Sequence, residues 1–369
     1  MHGYGTQIGI VGLPNVGKST LFNALLKKRV ALSANYPFAT VEPNIGVVAV
    51  PDERLNKLAE LVKNEEKMEK LPPLVPAVVE FVDIAGLVKG AAEGAGLGNQ
   101  FLSHVREVDA IVHVLRDFTD ENVVRSGSEN PDSDKLTVET ELGLVDLQVI
   151  GKLIDNLKKE AKMVPNLRHS EKMVPVLEVI KRNLEQGEVT RKFEFEDREL
   201  KKWFETLPLL TIKPVLYVYN VSENGYNQSL SRLNVTENKM AICAKLEEEL
   251  ADLSEEERKE YLKELGIEET GLERLIKKAY TLLGLISFLT AGKKEVRAWT
   301  IKKGTKAPQA AGAIHTDFEK NFIRAQVIEY GKLIEAGSYS AAKQKGWIRT
   351  EGKDYEVKDG DVVEFLIGS

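Results

Sequence analysis

A glycine-rich loop between an apolar strand and a helix most constrains the fold of this chain. Residues 12–19 read G-L-P-N-V-G-K-S and satisfy the phosphate-loop pattern G-x-x-x-x-G-K-[ST]. The preceding segment Gln7–Val11 has the composition of a short buried strand, and residues 19–28 repeat apolar side chains at helical spacing. The alternative is a chance glycine-rich turn. The flanking strand and helix instead favour a nucleoside triphosphate site on a helix-covered parallel sheet.

The chemistry of this loop assigns roles to its residues. Backbone N–H groups of the loop and of the helix N-terminus point at phosphate oxygens. In this arrangement Lys18 reaches the β- and γ-phosphates, and the Ser19 hydroxyl binds Mg²⁺.

A second nucleotide motif follows the apolar segment at residues 77–82, which predicts a buried strand. The sequence Asp83-Ile84-Ala85-Gly86 places a carboxylate near Mg²⁺ and the Gly86 N–H near the γ-phosphate. The next position usually holds a glutamine that orients the attacking water, but here it is Leu87. An apolar side chain cannot orient water, so we expect slow intrinsic turnover.

Another group must then orient the water. The choices are a K⁺ ion bound near Asn15, the side chain of His104, or a group from a partner. Asn15 could equally serve only to stabilise its turn, and a lone histidine is more often structural.

The base-reading motif is altered. Residues 213–219 predict a strand that ends at Asn220-Val221-Ser222-Glu223, where guanine-specific proteins have Asn-Lys-x-Asp. The longer Glu223 displaces the carboxylate that rewards guanine, and Val221 removes the lysine that packs over the base, so adenine becomes the favoured base. We therefore expect Asn220, Val221 and Glu223 to contact the nucleotide. Ala244, which follows strand Lys239–Ile242, is expected to contact it from the second base-contacting loop. The alternative is that the tetrapeptide only ends a strand.

The remaining elements predict an α/β nucleotide domain with a helical insertion and an α+β tail. Residues 126–134 have loop composition, and residues 138–163 and 172–186 predict a helical hairpin, the second helix interrupted early by Pro175. The hairpin is either a spacer or a partner-binding arm. We expect the tail to be large enough to fold independently. The predicted domains are residues 1–137 with 207–283, 138–206, and 284–369.

Composition narrows the class further. The 369 residues contain no apolar run of about 20 residues, which is the length needed to span a membrane, and the N-terminus has no signal-peptide pattern. One cysteine, Cys243, excludes an internal disulfide framework, and we expect a cytoplasmic protein. Net charge is −6, but residues 284–369 hold 14 Lys+Arg against 11 Asp+Glu. This tail either faces an anionic partner such as RNA or has ordinary surface charge.

Three segments together resemble one known family. The phosphate loop G-L-P-N-V-G-K-S-T, the segment D-I-A-G-L-V-K-G-A-A-E-G-A-G-L-G-N-Q-F-L and the motif N-V-S-E resemble the YchF branch of the Obg-like ATPases. Residues 307–325 resemble the TGS domain, a ubiquitin-like β-grasp module. The resemblance covers nearly the whole chain. It implies a translation-factor-class P-loop domain, ATP as the preferred nucleotide, and association with the ribosome.

The resemblance also carries site residues. It implies that the nucleotide contacts Asn15, Val16, Gly17, Lys18, Ser19 and Thr20. It further implies Mg²⁺ ligation by Ser19 and Thr40, and base contact through the Val221 backbone. The Asp-x-x-Gly motif adds Asp83 as an indirect Mg²⁺ contact. One residue appears extra between Lys18 and Thr40, and Cys243 stands where serine is commoner.

Three functions remain open. The chain is an ATPase whose turnover resets a ribosome-associated switch, a binding module gated by ATP occupancy, or a GTPase. The expected partners are ATP and the ribosome, either the large subunit or the 70S particle, together with ribosomal RNA. We expect no membrane and no DNA partner.

Overall fold

The computed structural model describes residues 6–30, 44–86, 97–120, 124–125, 130–163, 168–233 and 238–368. The strands are β1 (Gln7–Val11), β2 (Ile45–Ala49), β3 (Leu74–Val75), β4 (Val78–Asp83), β5 (Ala110–Asp117), β6 (Val215–Val221), β7 (Lys239–Ile242), β8 (Leu285–Ala291), β9 (Val296–Lys302), β10 (Phe322–Glu329), β11 (Arg349–Glu351) and β12 (Asp361–Ile367). The first seven helices are α1 (Lys18–Val30), α2 (Arg54–Glu65), α3 (Leu97–Glu107), α4 (Pro131–Met163), α5 (Arg168–Glu185), α6 (Arg198–Glu205) and α7 (Tyr226–Leu233). Further along the described residues lie α8 (Ala244–Leu250), α9 (Glu255–Glu264), α10 (Gly271–Leu282), α11 (Ala307–Ile314), α12 (Thr316–Lys320), α13 (Tyr330–Ala336) and α14 (Tyr339–Gln344).

The first sheet carries the predicted nucleotide motifs. Its six strands lie in the order β2-β4-β1-β5-β6-β7. All neighbours pair in parallel except β2 and β4. The carboxyl ends of β1, β4, β5, β6 and β7 therefore meet at one edge, which is where ligands bind in open parallel sheets. Strands β5 and β6 are almost entirely buried, as expected of central strands covered on both faces.

The insertion is a pair of long helices with a small hydrophobic cluster of its own. The members of this cluster come from α4, α5, α6 and the segment that follows α6: Ile150, Ile154, Leu177, Ile180, Leu184, Phe204 and Leu209. Helix α5 continues through Pro175, so the predicted interruption at this residue is wrong.

Helix α4 begins seven residues earlier than predicted. Residues 131–134 form its first turn, so their assignment to a loop is wrong. Asn130 caps this turn, because its side-chain oxygen accepts a hydrogen bond of 2.9 Å from the Ser133 N–H. Pro131 follows, at the first helical position where proline is tolerated, and Asp132 adds a negative charge that favours the helix N-terminus.

The second sheet lies in the tail but takes one strand from the nucleotide domain. Its order is β11-β10-β12-β8-β9-β3, and β3 pairs in parallel with β9. Helix α2, which leads to β3, buries Leu55, Leu58, Leu61 and Val62 and packs against β8 and β9. Burial of each leucine contributes about 2 kcal/mol. The tail sheet and the nucleotide domain therefore share one continuous hydrophobic core.

Candidate nucleotide-binding site

The phosphate loop leaves the carboxyl end of β1 in a conformation that its glycines permit. A side chain at Gly12 would come within 2.9 Å of the Val114 carbonyl oxygen and 2.8 Å of the Val16 side chain. Asn15 and Gly17 have φ of 64° and 92°, in the left-handed region that asparagine and glycine adopt most readily. The sequence pattern and the observed backbone therefore agree.

The two phosphate motifs lie side by side. Strands β1 and β4 pair with Ile10 opposite Asp83, which brings Asp83 beside the phosphate loop. The Lys18 ammonium donates a hydrogen bond to the Asp83 carboxylate, and both side chains are largely shielded from solvent. A side chain built at Gly86 would lie 3.6 Å from the Gly12 carbonyl oxygen, so this glycine also faces the loop. The two motifs can thus act on the same phosphate group.

Asn220 joins the phosphate loop to the second base loop. Its amide nitrogen donates to the Val16 carbonyl at 2.9 Å, and its amide oxygen accepts from the Ala244 N–H at 3.0 Å. The side chain is 5% exposed, and a Cβ at Gly17 would lie 2.1 Å from its nitrogen. Asn220 therefore holds three segments of the site together, a position that the linear motif did not reveal.

The base side of the site is formed by the ends of β6 and β7. The Val221 side chain is 4% exposed and packs into the core. Glu223 is exposed in a short turn, and its carboxylate accepts a hydrogen bond of 3.4 Å from the Tyr261 hydroxyl on α9. Cys243 is buried just before α8, and this burial raises the pKa of its thiol. The Val221 side chain is therefore not available to pack over a base, and contact of a base with its backbone stays a prediction.

The structure describes some of the other predicted site residues and not others. Ser19 is exposed and Thr20 half-buried in the first turn of α1. His104 lies on the exposed face of α3, and no hydrogen bond or ion pair joins it to the phosphate loop within the part of the chain that the structure describes. Thr40 and Leu87 lie outside the described residues. The roles of all these residues remain predictions.

A buried polar cluster on one face of the first sheet was not predicted from the sequence. His113 on β5 is 2% exposed, and its Nε2 atom has no hydrogen-bond partner among the described residues. Burial lowers the pKa of His113 to about 3, opposed by the nearby Glu139 carboxylate. Glu139 accepts hydrogen bonds from the Tyr217 hydroxyl and the Arg191 guanidinium. A histidine inside the apolar run A-I-V-H-V-L was the signal that could have indicated this cluster.

The same face carries the attachment of the insertion. Asp146 on α4 is fully buried and accepts hydrogen bonds from the Leu210 N–H at 2.7 Å, the Thr211 N–H at 2.8 Å and the Thr211 hydroxyl at 2.6 Å. Burial raises the pKa of Asp146 in spite of these bonds. One carboxylate thus fastens the long helix to the segment that enters β6.

Across residues 6–30, 44–86 and the other described ranges, no group of three or more His, Cys, Asp or Glu side chains could hold a metal ion. In the same part of the chain, every helix is too short or too polar to cross a bilayer.

A mostly parallel sheet with a phosphate loop, an Asp-x-x-Gly turn and an Asn-x-x-Glu loop at one edge defines a P-loop nucleotide-binding domain of the G-domain type. The domain family described as 50S ribosome-binding GTPase matches residues 7–142, and the YchF GTPase C-terminal family, described as a protein of unknown function, matches residues 285–368. The chain belongs to the YchF family. The predicted family and the predicted α/β P-loop fold are confirmed.

Two relatives and one solved structure illustrate the similarity. The Bacillus subtilis (strain 168) protein named Ribosome-binding ATPase YchF is 48% identical over 368 residues, which cover 97% of this chain and 98% of that protein. The Escherichia coli O157:H7 protein of the same name is 48% identical over 370 residues, covering 98% and 99%. The structure of the Schizosaccharomyces pombe YchF GTPase aligns with a TM-score of 0.85 at 38% identity and covers 99% of each chain.

Proposed function

We propose that this protein is a ribosome-binding ATPase that prefers ATP to GTP and acts as a nucleotide-dependent switch. The observation that carries the base preference is the geometry at the end of β6. The Val221 side chain is in the core, and the Glu223 carboxylate is held by Tyr261. Neither feature supplies the lysine and aspartate contacts that reward guanine. The relatives named Ribosome-binding ATPase YchF support ATP hydrolysis and ribosome binding.

The donors at the phosphate side fit Mg²⁺. The ion prefers hard oxygen ligands and usually combines one or two protein oxygens with substrate phosphates. The exposed Ser19 hydroxyl and the Asp83 carboxylate are such oxygens. When bound, Mg²⁺ supplies charge neutralisation at the phosphates. Thr40 and a K⁺ ion near Asn15 belong to the same proposal.

Lys18 acts by exchanging one anionic partner for another. In the structure its ammonium is paired with Asp83. A γ-phosphate carries more negative charge than a carboxylate and draws Lys18 towards it. Asp83 is then free to contact Mg²⁺ instead of Lys18. Gly86 moves with it, because the two residues belong to the same Asp-x-x-Gly turn. Binding of the triphosphate thus rearranges the contact between β4 and the phosphate loop.

Calorimetric titration with ATP and with GTP, each with Mg²⁺, tests the base preference. We expect the tighter binding for ATP, and equal or tighter binding of GTP would contradict the proposal. A non-hydrolysable ATP analogue separates a switch from an occupancy-gated module, because only the switch requires turnover to release the ribosome.

The tail is proposed as the surface that faces ribosomal RNA, with cytoplasmic location following from that partner. Lys294, Lys302 and Lys303 are exposed. Lys293 pairs with Glu66 at 2.6 Å, and the Arg297 guanidinium lies 3.9 Å from the centre of the Trp299 ring. This arrangement leaves three of the five basic side chains for phosphate contacts.

The division into domains at residues 138, 207 and 284, and the TGS character of the tail, are part of the same proposal.

Salt dependence tests this surface. Binding through phosphates releases counterions, so affinity falls as salt rises. Replacing the three exposed lysines by glutamine should lower ribosome affinity and flatten its salt dependence while ATP affinity stays unchanged. Undiminished co-sedimentation with ribosomes across a salt series would rule out this surface and favour the helical insertion.

A further inference from the structure

The side chain of Asn15 is held from outside the phosphate loop. Its amide nitrogen donates a hydrogen bond of 3.2 Å to the Val124 carbonyl oxygen, which belongs to the connection between β5 and α4. This bond fixes which end of the amide faces Val124, so the amide oxygen is directed away from it. Because Asn15 has φ of 64°, a sparsely populated conformation, a bond that orients its side chain also supports the shape of the loop.

Val124 cannot be held in place by burial. Its side chain is 76% exposed, so the position of its carbonyl must come from a neighbouring anchor. The next residue, Arg125, provides one. Its Nη2 atom donates to the Arg116 carbonyl at 3.2 Å and to the Asp134 carboxylate at 3.1 Å.

The anchor is built into the protein interior. Asp134 is 2% exposed and also accepts a hydrogen bond of 3.1 Å from the Arg116 N–H at the end of β5. Asp134 lies in the first turn of α4. The Arg125 guanidinium therefore clamps the end of a central strand to the start of the insertion, and charge-assisted bonds of this kind are stronger than neutral ones.

We propose that Arg125 is a positioning residue for the phosphate loop: anchored by Asp134, it fixes the Val124 carbonyl, which orients the Asn15 amide towards the bound nucleotide. The inference deepens the proposed function, on which it rests, because it assigns a structural input to the same nucleotide site. It also gives the insertion a physical route to that site, since the anchor is part of α4.

A double-mutant cycle on nucleotide affinity tests the link. Calorimetry measures the Kd of a non-hydrolysable ATP analogue with Mg²⁺ for the full chain, for Asn15→Ala, for Arg125→Met and for the double variant. We expect Arg125→Met alone to weaken binding about threefold to tenfold, the range for a lost hydrogen bond. On the Asn15→Ala background the same change should alter Kd by less than about twofold, because the two residues act in series.

Two matched variants accompany the cycle. Arg198→Met removes an exposed arginine at the start of α6 and should leave Kd unchanged. Val124→Gly deletes a side chain that is already in solvent and loosens only the backbone, so it tests the same link even if Arg125→Met does not fold. It should weaken binding only when Asn15 is present.

The outcomes separate this inference from the function on which it rests. Equal losses with and without Asn15, or no loss at all, would overturn the positioning role in a protein that still binds the nucleotide. A full chain that binds no nucleotide would overturn both the proposed function and this inference. A loss confined to the background that contains Asn15 supports the inference.

Discussion

Protonation of a single buried histidine should govern how the stability of this protein responds to mild acid. His113 is fully enclosed beneath the first sheet, and burial lowers its pKa to about 3. In the unfolded chain a histidine titrates near pH 6.5. Between these two values the unfolded state binds a proton that the native state does not, so stability is complete above pH 6.5 and is lost as pH falls towards 3.

The magnitude follows from the two pKa values. Each pKa unit corresponds to about 1.36 kcal/mol, so His113 costs roughly 2 kcal/mol of unfolding free energy between pH 7 and pH 5. Burial raises the pKa of Asp134, Asp146 and Glu247, whose contributions are instead lost as pH rises. These carboxyl groups are present in every variant, so their contribution cancels when the losses of unfolding free energy of two variants are subtracted.

Urea unfolding at pH 7 and at pH 5 measures the effect. The unsubstituted protein should lose about 2 kcal/mol more than His113→Leu over this interval. His104→Gln, which removes an exposed histidine, should keep the full pH dependence of the unsubstituted protein. An identical loss in the unsubstituted protein and in His113→Leu would refute the buried, neutral state of this histidine.

Three further outcomes are expected. Lys18→Ala should abolish most γ-phosphate-dependent binding in calorimetry and most turnover, and retained activity would show that another cation performs this role. The double change Val221→Lys with Glu223→Asp should shift preference towards GTP in paired titrations, and an unchanged ratio would assign specificity to the backbone. Asp146→Asn should lower the free energy of unfolding in urea by about 1–3 kcal/mol, because a single amide oxygen cannot accept from three buried donors. Asp155→Asn, on the exposed face of α4, should leave this free energy unchanged.

The elements that sequence reasoning located well depend on contiguous residues. The strand before the phosphate loop, Gln7–Val11, and the strand Lys239–Ile242 have the predicted bounds, because apolar runs bounded by turn residues are local signals. The start of α4 was also local, since Asn130 and Pro131 are a cap and a first helical residue. Its misassignment came from weighing loop composition above capping chemistry.

Other features depend on segments that are distant in the sequence. Asn220 was predicted to contact the nucleotide, but its bridging bonds require the phosphate loop and the Ala244 loop to meet, which only the sheet order determines. The hydrogen bond from Arg125 to Asp134 likewise depends on the first turn of α4 lying beside the end of β5. Strand β3 has two residues, too few for any periodic pattern.

The pairing of strand β3 has a consequence for folding during synthesis. Leu74 pairs with Val296, 222 residues further along the chain, and the apolar face of α2 is covered by the same late strands. During synthesis, residues 54–75 emerge early and must wait for nearly the whole chain before they find their partners. Contacts of such long separation form slowly, and an exposed apolar helix invites association with other chains. A nascent chain stalled before residue 296 would therefore be a substrate for chaperones, although its phosphate loop had long been translated.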